Sequence, residues 1–179
     1  ARRRIGVLKP DYGVVGGAEL VLGRIEAMLR ADGHQVTRVP VAMRSLPRRP
    51  FGLHVPDEVW ELEPEYFRYL AAIEAFEQLD TSGFDVVLST QPPSWANHHD
   101  RHANLFFHHQ RVYYDLCEPY IAAGFAPDPD LHRRAAQLMR VVDGPRMARV
   151  RTFACISEVT RERLRRFQGL TNTPVFHPG

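Results

Sequence analysis

The sequence is poor in cysteine and has no long hydrophobic run. Its 179 residues contain two cysteines, Cys117 and Cys155, each in apolar surroundings and without a second cysteine at metal-ligand spacing. We therefore expect two buried thiols in a reducing compartment rather than a disulfide. No stretch approaches the roughly 20 apolar residues that cross a bilayer. The first ten residues are charged but lack the hydrophobic region of a signal peptide, so we expect a cytoplasmic protein.

A large excess of charge of one sign is also missing. The formal net charge is only +2, so we expect no nucleic-acid partner, although arginine is abundant and unevenly placed. The arginine-rich helix predicted around residues 161–166 is interpreted as a solvated face, with peripheral contact to an anionic membrane as the alternative. Hydrophobic residues make up 44% and charged residues 25% of the chain, which is typical of an ordinary globular domain.

What the sequence does contain is a regular alternation of strand and helix patterns. Helices are predicted over residues 18–31 and 65–79, in "PDPDLHRRAAQLMRVVDGPRMARV", and after Ser157, which can cap the last one. Strands are predicted in "RRIGVLK", "HQVTRVPVA", "FDVVLST", "ANLFFHH", "RTFACIS" and "TPVFHP". Short joints between strand and helix are typical of parallel sheets. We therefore predict an α/β fold, a single Rossmann-like domain with a mainly parallel sheet and helices on both faces.

The first helix gives a finer prediction. Its apolar residues Val21, Ile25, Met28 and Leu29 recur at helical spacing and are expected to face the core. Gly33 is expected to end the helix in the left-handed conformation.

Three glycines, in "KPDYGVVGGAEL", separate the first strand from the first helix. Gly16 and Gly17 precede the helix directly, where free N–H groups and the helix dipole favour an anion such as a phosphate. The spacing fits neither G-x-G-x-x-G nor a P-loop. A tight turn with nothing bound is therefore an equally good interpretation of the glycines taken alone. Glu19 can complement the helix dipole.

Histidines crowd the middle of the chain. His108 and His109 follow an apolar strand, and a histidine there could bond a substrate hydroxyl or support developing charge. We expect at most one of the two to face a cleft. With His98, His99 and His102 the region invites a zinc interpretation, but H-E-x-x-H and paired cysteines are both missing, so no metal is expected.

In combination, four stretches resemble the N-terminal half of a retaining, nucleotide-sugar-dependent glycosyltransferase of family 4, which has the B-type fold of two Rossmann-like domains. The chain resembles it over nearly its whole length, and the first and third stretches are specific only together. They are "GVVGGAELVLGRIEAMLRADGHQV", "NLFFHHQRVYYDL", "LMRVVDGPRMARVRTFACISEVTRERLRRF" and "TPVFHPG". The family often has proline two residues after its histidine, whereas this chain has Gln110 after His108 and His109. In addition, "ACIS" replaces the usual "ANS".

The resemblance implies an enzyme of the hexosyltransferase type that moves a sugar to an acceptor hydroxyl with retention. Residues 1–179 would form its acceptor-side domain, and the donor-binding C-terminal domain would lie outside this chain, leaving the fragment inactive by itself. The partners implied are a nucleotide-sugar donor and a carbohydrate or lipid-linked acceptor, with no cofactor or metal. The roles implied are donor-diphosphate contact for Gly16 and Gly17, catalysis for His108 or His109, and acceptor or structural support for Glu19, Arg111, Asp115 and Ser157.

Two other classes of protein remain open. One is a nucleotide- or dinucleotide-binding Rossmann domain of an oxidoreductase or epimerase. The loop lacks G-x-G-x-x-G, and "HQVTRV" does not end in the acidic residue that such domains use to bind a ribose. The other is a non-catalytic binding module, because fold does not fix function.

Overall fold

A five-stranded, all-parallel sheet forms the centre of the protein. The computed structural model describes residues 1–177. Its strands are β1 (Arg4–Asp11), β2 (Gln35–Ala42), β3 (Val86–Ser89), β4 (His102–Phe106) and β5 (Thr152–Cys155). They pair in the order β2-β1-β3-β4-β5, so β2 lies on one side of β1 and the later strands are added on the other side. The registers place Ile5 beside both Val36 and Val86, and Phe106 beside Cys155.

Six α-helices connect or follow these strands. They are α1 (Gly17–Ala31), α2 (Asp57–Trp60), α3 (Pro64–Gln78), α4 (Cys117–Ala122), α5 (Pro129–Ala148) and α6 (Glu158–Gln168). Local sequence explains several of their ends. The Asp128 carboxylate accepts from two N–H groups of the first turn of α5, and Gly169 ends α6 at a φ of 70°. Within residues 1–177 no helix has the length and apolar character that a bilayer span requires.

Helices cover both faces of the sheet, which confirms the predicted Rossmann-like α/β fold. Alternate residues of β1 point to opposite faces, so Val7 packs with Leu22 of α1 while Leu8 packs with Phe76 of α3. Helices α3, α5 and α6 lie on the Leu8 face, where the largest buried side chains, including Trp95, also pack. Both cysteines are buried and unpaired, as expected.

Several local predictions need correction. Met28 is 55% exposed, because the buried stripe of α1 runs through Leu22 and Ile25 instead. The strand predicted in "TPVFHP" is reduced to one bridge between Val175 and Cys155, and the last two residues, 178–179, lie outside the described part. Strand β4 begins earlier than predicted and ends at Phe106, so both histidines follow it. The left-handed stop at Gly33 is confirmed, with a φ of 86°.

Candidate functional site at the carboxyl edge of the sheet

The strand order reverses between β1 and β3, and ligands of open parallel sheets bind outside the carboxyl ends of strands at such a point. The glycine loop follows β1 at this edge, and residues 90–93 follow β3. His108 lies just past β4, two strand spacings or about 10 Å from β1. The structure therefore brings the predicted glycines and the predicted histidine to one edge of the sheet.

The glycine loop has one position that needs glycine and one that leaves open space. Gly13 has a φ of 71°, and its N–H donates to Asp11 Oδ1 at 3.1 Å. Gly16 has extended backbone as the N-cap of α1. A Cβ built at Gly17 would meet no heavy atom within 4 Å. Backbone strain therefore accounts for Gly13 alone, whereas Gly17 leaves the start of α1 open to an approaching group.

Glu19 occupies part of the anion-binding capacity of this helix start. Its Oε2 accepts the Gly16 N–H at 2.8 Å, and its Oε1 pairs with Lys9 Nζ at 2.9 Å. The hydrogen bond from Lys9 lowers the pKa of Glu19, with the Gly16 N–H contributing in the same direction. Since Gly16 already has an acceptor, the N–H groups of Gly17 and Ala18 are the ones left for a bound anion.

Lys9, which the sequence reasoning missed, fixes this end of β1. It is the only lysine of the chain, and its side chain is only 5% exposed. The ammonium contacts Glu19 and, at 3.4 Å, Asp11 Oδ1. One cation therefore links the residues on either side of the glycine loop. In the sequence, Lys9 looks like an ordinary charged residue at the end of an apolar strand. Strand periodicity does not show that its side chain is buried against the loop that follows.

His108 lies half-buried at the edge with one ring nitrogen committed. Its Nδ1 is 2.6 Å from the backbone oxygen of His109, and since a carbonyl oxygen only accepts, Nδ1 must donate. Burial lowers the pKa of His108, so the ring is neutral at pH 7. Its Nε2 then carries the lone pair and has no hydrogen-bond partner in the described chain, and it can accept a hydroxyl proton.

His109 points the opposite way, into the core. It has no exposed surface, and its ring stacks on Tyr114 with centroids 4.1 Å apart. Its Nε2 lies 2.6 Å from Gln168 Oε1, and burial lowers its pKa to about 4. Its Nδ1 is buried and has no partner in residues 1–177. The structure brings only one of the two predicted histidines, His108, to the cleft.

Two of the four predicted support residues, Arg111 and Asp115, form a charged cluster with Arg163 beside His108. Arg111 Nη2 donates to Asp115 Oδ2 at 2.9 Å, and Arg163 Nε reaches the same oxygen at 3.0 Å. Burial alone would raise the pKa of Asp115, but the two arginines hold it below the ordinary value. Two guanidiniums share one carboxylate, so the cluster presents net positive charge toward the edge.

Ser157 has a local task. Its hydroxyl accepts the Thr160 N–H at 3.2 Å, and its own N–H donates to Thr160 Oγ1 at 3.1 Å. This capping box begins α6, as the sequence predicted, and it leaves Ser157 engaged with its own helix.

The histidine-rich region is divided between opposite edges of the sheet. His98, His99 and His102 lie where β4 begins, whereas His108 lies past its end. His102 is buried against Ser89, with Nε2 and Oγ 2.7 Å apart. Within residues 1–177 no three His, Cys, Asp or Glu side chains are grouped to hold a metal ion. The expected absence of a metal stays a prediction.

A buried acid cluster lies under the edge, centred on an aspartate of the third sequence stretch. Asp143 of α5 accepts hydrogen bonds from Tyr69 and Tyr114 at 2.7–2.9 Å and from Trp95 Nε1 at 3.3 Å. Burial raises the pKa of Asp143 to about 6, although these bonds oppose the shift. Tyr114 also stacks on His109. The cluster therefore supports the loop that follows β4 from beneath. A second buried group joins His132 to Glu63 at 2.9 Å.

Comparison with models of known protein families and with curated proteins gave no match. The family resemblance drawn from the four sequence stretches therefore stays a prediction.

Proposed function

We propose that this chain is the acceptor-side half of a retaining glycosyltransferase that uses a nucleotide-sugar donor. The observation that carries the proposal is that open backbone at Gly17 and the free Nε2 lone pair of His108 both lie at the same edge of the sheet. A diphosphate needs uncovered N–H groups, and a sugar hydroxyl needs an oriented acceptor.

The chemistry would be electrostatic. As the bond from the sugar to its diphosphate breaks, negative charge develops on the departing oxygen. The N–H groups at the start of α1, together with the helix dipole, would stabilise that charge. The His108 Nε2 atom would accept a hydrogen bond from a hydroxyl of the donor sugar or of the acceptor and so orient that hydroxyl. The acceptor oxygen would bond to the sugar carbon that the diphosphate leaves, and the acceptor proton would pass to the departing phosphate oxygen. Arg111 and Arg163 would add positive charge near the leaving group.

In this proposal a second, donor-binding domain supplies most of the nucleotide contacts. Titration calorimetry of residues 1–179 should then show no NAD or nucleotide-sugar binding tighter than the millimolar range. Micromolar affinity for NAD would overturn the proposal in favour of an oxidoreductase or epimerase domain.

Gly17→Val in the full-length protein tests the role of the glycine loop. A branched side chain would fill the approach to the N–H groups, so transfer should fall by at least about 100-fold. The melting temperature should hardly change, since no atom lies within 4 Å of the added Cβ. Gly23→Val is the matched control, because it lies in the same helix, equally open and away from the edge. Full transfer activity in Gly17→Val would reduce the glycines to a turn.

A further inference from the structure

We infer that a cavity beside the glycine loop binds an acceptor sugar that carries an anionic group, either a carboxylate or a phosphate. The inference rests on the proposed function, because it names the acceptor class of that site. The cavity, here called the Arg44 pocket, has a volume of about 450 Å³, within the range of small-molecule sites. Its lining includes Tyr12, Arg44, Arg48, Trp60, Arg68 and Gln110.

The pocket opens at the edge that carries the candidate site. Tyr12 belongs to the glycine loop, Arg44 follows β2, and Gln110 comes two residues after His108. The Arg44 Nη1 atom lies 4.0 Å from where a Cβ at Gly13 would be, so the guanidinium lies against the loop. A ligand in this pocket would thus contact the glycine loop at Tyr12 and the segment after β4 at Gln110.

The charges of the pocket leave one cation uncompensated. Arg48 Nη2 pairs with Glu61 at 2.9 Å. Arg68 Nη1 pairs with Glu65 at 2.6 Å. Arg44 has no ion pair or hydrogen bond to any residue of the described chain. A planar guanidinium with free N–H groups matches a carboxylate or phosphate through two parallel hydrogen bonds, so one anionic group on the ligand would complete the pocket.

The remaining lining is mainly apolar and includes three aromatic rings. The Arg48 guanidinium lies 4.6 Å from the centroid of the Trp60 ring, and Trp60 stacks on Phe67. Tyr69 is held from beneath by Asp143. Aromatic walls with a few fixed polar groups are suited to a small ring with hydroxyls, and the free cation selects for its charge.

The larger cleft at the amino edge serves as the internal comparison. It has a volume of about 830 Å³ and includes Arg101 and Arg151, but it lies at the opposite ends of the strands. Anion binding there would be unrelated to the glycine loop.

The test is a heteronuclear NMR titration of the 179-residue chain with glucuronate, glucose 6-phosphate, glucose and inorganic phosphate. The two anionic sugars should bind at least about tenfold tighter than glucose, and tighter than phosphate alone, with shifts centred on Tyr12, Arg44 and the Trp60 indole. Whichever of the two binds tighter identifies the anion as carboxylate or phosphate. Arg44→Ala should abolish the preference over glucose, and Arg151→Ala should preserve it.

Equal affinity for glucose and the anionic sugars would overturn the inference, as would shifts centred on Arg101 and Arg151 or an unchanged preference in Arg44→Ala. Arg44 is on the surface, so its loss should not unfold the chain, which a thermal melt of the variant verifies. Transfer by the full-length protein to neutral acceptors alone would remove the inference and keep the proposed function. Anion binding at Arg44 in a full-length protein that transfers no sugar would keep the pocket and remove the proposed function.

Discussion

At the carboxyl edge of the sheet, an exposed surface and the buried layer beneath it are made by neighbouring residues with opposite surroundings. The buried layer includes His109, Tyr114 and Asp143. On the surface, Gly17 has open space around it and His108 keeps a free nitrogen. One residue later, His109 is enclosed by four aromatic rings and bonded to Gln168. The side chains of the layer below therefore bond to one another, while the edge itself keeps unsatisfied groups for a ligand.

The largest effect should come from emptying the buried layer. His109→Ala removes a fully enclosed ring and leaves a cavity among Phe106, Tyr114 and Phe167, so unfolding free energy should fall by roughly 4 kcal/mol. His108→Ala, one residue away and only half-buried, should cost less than about 1 kcal/mol. Urea denaturation of both variants measures the contrast. Similar losses of unfolding free energy in the two variants would contradict the distinction between the exposed surface and the buried layer.

The next effect concerns the buried acid of the layer. The pKa of Asp143 is raised to about 6 in the folded protein from an ordinary 3.8. The folded state therefore binds its proton more tightly. The contribution to stability is full below pH 3.8 and is lost as the pH rises through 6, by about 3 kcal/mol in total.

Asp143→Asn should remove this contribution. Burial lowers the pKa of His102 and His109 to about 4, so these two act in the opposite direction and favour the fold as the pH rises through the same interval. The measurement is therefore the difference in unfolding free energy between variant and wild type at about pH 4 and about pH 7. That difference should shift in favour of the variant as the pH rises; a difference independent of pH would contradict the raised pKa.

The smallest effect separates two glycines of the loop. Gly13→Ala places a Cβ at a φ of 71° and should destabilise the protein by about 1 kcal/mol. Gly17→Ala, at the first position of α1 with open space around it, should be neutral or stabilising by a few tenths of a kcal/mol. Thermal melts of the two variants measure the difference, and equal shifts would show that the loop does not hold Gly13 in this conformation.

Much of the fold was predictable from the sequence, because short-range patterns indicate where helices and strands begin and end. Alternating strands and helices, the stop at Gly33 and the cap at Ser157 all depend on short-range hydrogen bonding and apolar spacing. The prediction was wrong for Met28 because several residues of one helix have nearly equivalent apolar spacing, and only the sheet determines which of them is buried.

The candidate site was predictable only in part. The glycines and histidines stood out because they lie where a strand ends. The partners of Lys9, Asp143 and Arg44 were not predictable, because each residue acquires its surroundings from segments distant in sequence. Asp143, for example, meets a tyrosine 74 residues away.

The α/β class, the parallel sheet and the residues that follow each strand can be predicted from the sequence, because strand and helix periodicity are local properties of the chain. The three-dimensional packing is needed to show which of two adjacent histidines is free, which glycine is strained and where the histidine-rich region divides. Those outcomes depend on strand order and on side-chain packing between distant segments, which set the burial and hydrogen-bond partners of each group.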